Sequence, residues 1–290
     1  MDIKAILMGV AFAAMWSSAF TSARVIVEFA PPLTALAVRF LVSGCIGVGI
    51  AWLMGQSMRL TRRQWTGVLI FGVCQNALYL GVNFVAMQTI EASLAAIIAS
   101  TMPLLVAVAG WVFMGQKLRP LGVVGLIAGV IGVVLIMRAR LQGGVDVYGI
   151  VLCVVGVISL TIATLAVLGA SSGGNVLMIV GLQMLVGSAI LWVPAFAFET
   201  FDITWNWQLI VAFVYTTIVP GLLATWVWFT LVGRIGAVKA STFHFLNPFF
   251  GVAVAAVLLG EKLGPFDVIG VIIIAGGILA VQLSKQPTSR

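Results

Sequence analysis

Charge is what this sequence has least of. Only 8% of its 290 residues are Asp, Glu, Lys or Arg, where a soluble domain uses roughly a quarter. A water-soluble globular fold of this length is excluded, because nothing would cover its surface. Histidine occurs once, as His244, and no His-Glu-X-X-His pattern exists. No Ser or Cys stands beside a plausible base, and no carboxylate pair lies inside an apolar run, so an enzyme reading finds no catalytic residues. The three cysteines, Cys45, Cys74 and Cys153, are dispersed through apolar runs. Such an odd set offers neither a disulfide framework nor metal spacing, and reads as small apolar packing residues. No metal and no cofactor are expected.

What is present is apolar: 62% hydrophobic residues at a mean hydropathy of +1.21. The charges sit in short clusters separated by apolar runs of about 20 residues, the length that crosses a bilayer core at 1.5 Å per residue. Ten such runs are read, at 4–26, 33–54, 64–88, 91–114 and 120–138, then 146–168, 175–197, 206–231, 236–259 and 265–284. The first run follows Lys4 and ends in Ser-Ser-Ala-Phe-Thr-Ser-Ala, which imitates a signal peptide; its length and its part in the repeat below argue that it is retained.

The net charge of +7 reads as a topology signal and not as a nucleic-acid footprint, because the basic residues flank apolar runs. With the N-terminus inside, ten of the fifteen Lys and Arg face the cytoplasm: Lys4, Arg59, Arg62, Arg63, Lys117, Arg119, Arg234, Lys239, Lys285 and Arg290. The expectation is a multi-pass protein of the inner (plasma) membrane, embedded in the lipid bilayer, with both termini cytoplasmic.

The chain also matches itself at an offset of 145 residues. Gly115-Gln116-Lys117-Leu118-Arg119-Pro120 aligns with Gly260-Glu261-Lys262-Leu263-Gly264-Pro265. Around this turn Pro103, Gly125 and Gly132 repeat as Pro248, Gly270 and Gly277. Residues 1–143 and 144–290 are therefore read as two repeats of five helices. A repeat with an odd number of spans inserts its second copy upside down. The fold expected is an all-α membrane protein of ten transmembrane helices, arranged as two inverted five-helix repeats. That architecture recurs in secondary transporters, with substrate bound near the midplane and alternating access.

Pro31-Pro32-Leu33-Thr34-Ala35-Leu36-Ala37-Val38-Arg39-Phe40, Trp16 in the first run and the two Gly-Gln/Glu-Lys-Leu-X-Pro turns resemble the EamA domains of the drug/metabolite transporter superfamily. Nearly the whole chain takes part, as two EamA units, and it most resembles the YddG-type exporters of aromatic amino acids. The second turn matches the family closely, while the first carries Gln116 where Glu is commoner. The resemblance implies export of amino acids, aromatic ones foremost, or of similar neutral or zwitterionic metabolites. Exporters of other small metabolites or drugs, a membrane enzyme and an assembly subunit are the alternatives. One chain of ten helices suffices to enclose a path, so a monomer is physically adequate.

Polar side chains in lipid are default functional hypotheses. Gly72, Asn76, Tyr79 and Asn83 stand at i, i+4, i+7 and i+11 in the third run, one face of an α-helix. They read either as a wall for a zwitterion or as hydrogen bonds between packed helices. The repeat carries this face to Thr217, Gly221, Ala224 and Trp228. His244 and Asn247 precede Pro248, and Ser100 precedes Pro103; paired prolines breaking the hydrogen-bond ladder in both halves point to a site. His244 either touches substrate or is an ordinary interior histidine. Trp16 and Ser17 complete the candidate substrate-binding set. Arg39 either attracts a carboxylate or holds a loop, the structural role being favoured. Glu28, Glu91, Glu199 and Glu261 lie at run ends, which disfavours exchange of cationic drugs for protons.

Overall fold

In the computed structural model, residues 3–115, 119–167, 175–235, 240 and 242–284 are described. The first repeated turn (Gln116, Lys117, Leu118) and the basic residues Lys239, Lys285 and Arg290 lie outside them. Among the described residues the chain is helical throughout. The first five spans are α1 (Ile3–Phe29), α2 (Pro32–Leu53), α3 (Arg62–Ala86), α4 (Ala92–Ser100 continued as Met102–Met114) and α5 (Pro120–Gln142). The second five are α6 (Val147–Val167), α7 (Val176–Phe198), α8 (Trp207–Ile235), α9 (Asn247–Leu259) and α10 (Pro265–Ser284). Nine helices among the described residues are long and apolar enough to cross a membrane, and α9 is the shorter tenth.

Local chemistry sets the ends. Pro32, Pro120 and Pro265 open α2, α5 and α10, where a missing N–H costs nothing. Thr61 and Gln64 form a reciprocal capping box on α3, and the Asn206 side chain accepts from the Leu209 N–H at 2.7 Å to cap α8. Gly115 and Gly260, equivalent in the repeat, close α4 and α9 at φ +63° and +68°, a conformation that only glycine adopts without cost.

The repeat extends to the irregularities. Gly72–Tyr79 in α3 and Thr217–Leu223 in α8 are both π-helical, and they occupy equivalent positions at the 145-residue offset. In α8 the cause is Pro220, which lacks the N–H that an α register would return to Thr216; the wider register passes that role to Gly221. The straight α-helical face expected through Gly72, Asn76 and Tyr79 is accordingly replaced by π geometry. Breaks also stand where the paired prolines pointed to them. α4 turns at Thr101, ahead of Pro103, and a 3₁₀ turn, Thr242–Leu246, precedes α9 and Pro248.

The chain divides into two compact units, each drawing helices from both sequence halves. Unit 1 comprises residues 1–21, 89–150 and 227–290, hence the start of α1, the end of α8, and α4, α5, α9 and α10. Its main seam is α5 against α10. A Cβ on Gly277 would stand 2.6 Å from the Gly125 carbonyl oxygen, and one on Gly132 would stand 2.9 Å from that of Gly270. Register 125·277 and 132·270 makes the two helices antiparallel. The repeat maps 125 to 270 and 132 to 277, so each contact is the image of the other. A local two-fold axis across this seam is what an inverted duplication requires.

Unit 2 comprises residues 22–88 and 151–226 and has the same construction. α2 meets α7 at Gly44 and Gly181, where a Cβ on Gly44 would lie 3.0 Å from the Gly181 carbonyl oxygen. Seven residues along, the Ser188 hydroxyl donates to the Ala37 carbonyl at 2.8 Å. These pairs are images of each other at an offset of 144. Lipid tails supply no hydrophobic preference between helices, so close backbone approach through small residues selects partners. Large apolar side chains such as Val124, Val130 and Val134 stay exposed, as suits a lipid-facing surface. Exposed Trp52, Trp65, Trp111 and Trp207 near span ends fit the interfacial aromatic belts.

Candidate functional site

Five of the candidate residues come together in unit 1. The 3₁₀ turn places the His244 ring against three aromatic rings, with centroids 5.5 Å from Phe12, 6.1 Å from Trp16 and 5.2 Å from Trp228. Phe12 lies 4.7 Å from Trp228, and Phe20 meets Trp16 edge-on at 5.9 Å. Phe12, Trp16 and Phe20 follow one another at every fourth residue of α1 and so share a face. Phe12 had no polar signal to mark it; the four-residue spacing from Trp16 was the available clue.

The polar lining is ordered by the bent backbone. The Asn247 side-chain nitrogen lies 2.9 Å from His244 Nδ1, which leaves Nδ1 as acceptor and the ring proton on Nε2 when the imidazole is neutral. The Ser17 hydroxyl donates to the Asn247 carbonyl at 3.1 Å, tying α1 to the start of α9. Asn247 is 2% exposed, and its Oδ1 has no hydrogen-bond partner among the described residues. A buried amide oxygen without a donor costs about 1–3 kcal/mol, so this acceptor is available to a donor group on a ligand. Phe12 and Ser17 are buried, while Trp16 and Trp228 are partly exposed. The cluster thus offers aromatic faces beside an unsatisfied acceptor, a combination suited to an aromatic ring and an ammonium group. Ser100 is also in unit 1, but its hydroxyl donates back to the Ala96 carbonyl at 2.6 Å.

Asn76, Tyr79 and Asn83 belong to unit 2. The Asn76 amide donates to the Gln183 carbonyl of α7 at 2.9 Å. The Asn83 amide donates to the Tyr79 carbonyl at 2.7 Å, and its oxygen lies 3.3 Å from Cys153 Sγ on α6. Both amides are therefore engaged with protein groups, whereas the Tyr79 hydroxyl is buried without a partner among the described residues. Ser159 of α6 donates to the Cys74 carbonyl inside the π segment at 2.8 Å. In α8, Thr217 donates back to Phe213, and Trp226 is exposed.

Carboxylates in both units serve helix ends. Glu261 accepts from the Ala92 and Ser93 N–H groups at 2.8 and 3.0 Å, and Glu199 from those of Leu33 and Thr34 at 2.7 and 2.8 Å. Arg140 joins Glu91 and forms a two-pronged pair with Asp267 at 3.0 Å. Sequence reading placed Glu91, Glu199 and Glu261 at run ends but missed the Arg140 pairing, which joins Glu91, ahead of α4, to α5 and α10.

With ten helices in two inverted sets, the comparison with known proteins is decisive. The EamA-like transporter family matches residues 3–138 and again residues 147–283. The chain belongs to the EamA-like transporter family. Its two EamA matches correspond to α1–α5 and α6–α10. The chain is 26% identical over 273 residues to the uncharacterized transporter YvbV of Bacillus subtilis, covering 94% of this chain and 89% of that one. It is 25% identical over 288 residues to the uncharacterized inner membrane transporter YedA of Escherichia coli, covering 96% and 91%. A crystal structure at 20% identity superposes with a TM-score of 0.71 over 98% of both chains, a likeness of fold. As an EamA member with helices of spanning length, the protein is a multi-pass membrane transporter.

Proposed function

We propose that this EamA transporter exports amino acids, aromatic ones foremost, or similar neutral and zwitterionic metabolites, by alternating access between its inverted repeats. The observation that carries the reading is the His244 cluster: Phe12, Trp16 and Trp228 around the imidazole, with the unpaired Asn247 oxygen beside them. An aromatic ring would stack on the half-exposed tryptophans while an ammonium group donates to Asn247. The YddG-type resemblance agrees with this substrate class. The bias of basic residues supports an inner-membrane location with both termini cytoplasmic, and one chain is a sufficient unit.

All seven acidic side chains in the described residues lie at helix ends or in connections, so no carboxylate is placed to carry a proton with the solute. Export then runs down the solute's own gradient. The test is efflux from reconstituted vesicles preloaded with tryptophan or phenylalanine. Trp228→Ala and Asn247→Ala should each slow efflux about tenfold, the equivalent of ~1.4 kcal/mol of lost solute interaction, without lowering expression. Efflux no faster than from protein-free vesicles would overturn the substrate class. Acceleration by an imposed pH gradient, abolished in His244→Gln, would assign proton coupling instead.

A further inference from the structure

Arg39 is a buried cation with no carboxylate partner among the described residues. It lies seven residues past Pro32 on α2, about 10 Å along the helix at 1.5 Å per residue, and therefore inside the apolar segment. The residue is 5% exposed, the one buried arginine or lysine among the described residues. Among the described residues its Nε has no hydrogen-bond partner, and no carboxylate lies within ion-pair distance. The carboxylates of unit 2 are accounted for elsewhere: Glu28 pairs with Arg24, Glu199 caps α2, and Asp202 lies exposed between α7 and α8. What surrounds Arg39 is the Phe40 ring, 5.2 Å from Cζ, together with Ser43 and the π segment of α8. The Ser43 hydroxyl donates to the Arg39 carbonyl.

A guanidinium desolvated without a counter-charge is destabilised, and an anion bound there would remove that penalty. Gly221 of that π segment is its neighbour: a Cβ there would lie in ordinary contact with Nη2, at 3.5 Å. Irregular backbone at membrane depth is tolerated where it borders a ligand path, and π segments concentrate at functional positions. We propose that Arg39, seated against the Thr217–Leu223 π segment, is the receptor for the carboxylate of the transported solute. The planar fork of N–H donors matches a carboxylate's two oxygens, which an ammonium could not do. This assignment rests on the transport reading above and adds a contact, within unit 2, for a carboxylate on the solute.

Two measurements on the full chain separate the two ideas. The first is thermal unfolding of the purified protein with phenylacetate against phenylacetamide, and acetate against acetamide, at constant ionic strength. The acids should raise the midpoint and the amides should not; Arg39→Lys should retain a reduced effect and Arg39→Gln none. Equal shifts from acid and amide, an acid shift that survives Arg39→Gln, or chloride acting as strongly as the acids would overturn the carboxylate receptor. The wild-type acid–amide comparison needs no variant to fold. The second is vesicle efflux of phenylalanine against phenylalaninamide, whose acid-to-amide rate ratio should fall about 30-fold in Arg39→Gln, as for loss of one partner of a buried charge pair. An unchanged ratio overturns the receptor while leaving transport intact. Absent phenylalanine efflux with acid stabilisation preserved overturns the transport reading and supports the receptor.

Discussion

Replacing Gly277 by Ala tests the seam that defines the inverted fold. The added methyl would meet the Gly125 carbonyl oxygen at 2.6 Å, the Gly129 nitrogen at 2.9 Å and the Gly129 Cα at 3.2 Å. All three are backbone atoms, so no flexible side chain can yield. A carbon-to-oxygen contact relaxes at ~3.3 Å, so α5 and α10 must part by about 0.7 Å at this point. Overpacking of this kind costs roughly 1–3 kcal/mol, against which Gly-to-Ala in a helix returns about 0.5–1 kcal/mol. Gly277→Ala should therefore lose about 1–2 kcal/mol. The neighbouring Gly276 is the internal control: nothing lies within 4 Å of a Cβ there, and Gly276→Ala should be neutral or gain about 0.5 kcal/mol. Unfolding titrations in mixed micelles would read both. Gly125→Ala attacks the same seam from the other side, so the double variant with Gly277→Ala should cost less than the sum by at least ~0.5 kcal/mol. If Gly277→Ala and Gly276→Ala shift stability alike, the close backbone approach does not hold this fold together.

Two further outcomes follow from the charged groups of unit 1. Arg140→Gln leaves Asp267 buried with only the Gly264 N–H at 2.9 Å; breaking a pair of this kind should destabilise by about 3 kcal/mol, and a stability equal to wild type in unfolding titrations would contradict the pairing. The Thr89 hydroxyl, with the N–H groups of Tyr148 and Gly149, holds the Asp146 carboxyl below its ordinary 3.8. A carboxyl lowered on folding contributes stability above its unfolded value and loses it as pH falls through the folded one. Thr89→Val should therefore move the Asp146 carbon-13 titration back up toward 3.8 and reduce the loss of stability that this group causes as pH falls. An unmoved titration would show that the hydroxyl does not set it.

Membrane residence, ten runs, the duplication and its inverted sense were all readable from sequence. The reason is that lipid imposes a one-dimensional rule: about 20 apolar residues per crossing, with an odd number per repeat reversing direction. Pro103 and Pro248 marked the two broken helices for a similarly local reason, the absence of an N–H. Gathering Trp16, Ser17, Trp228, His244 and Asn247 required contacts across more than 200 residues of sequence, yet residue type in an apolar run was enough to name them. Tertiary structure alone decided the rest. It set α5 on α10 and α2 on α7, because in lipid helices choose partners by the fit of small residues and not by hydrophobicity. It engaged Asn76 and Asn83 with protein groups, and among the described residues it left Arg39 without a carboxylate and the Asn247 oxygen without a donor. Composition can say that a polar group is buried; only the surrounding atoms decide whether it is satisfied.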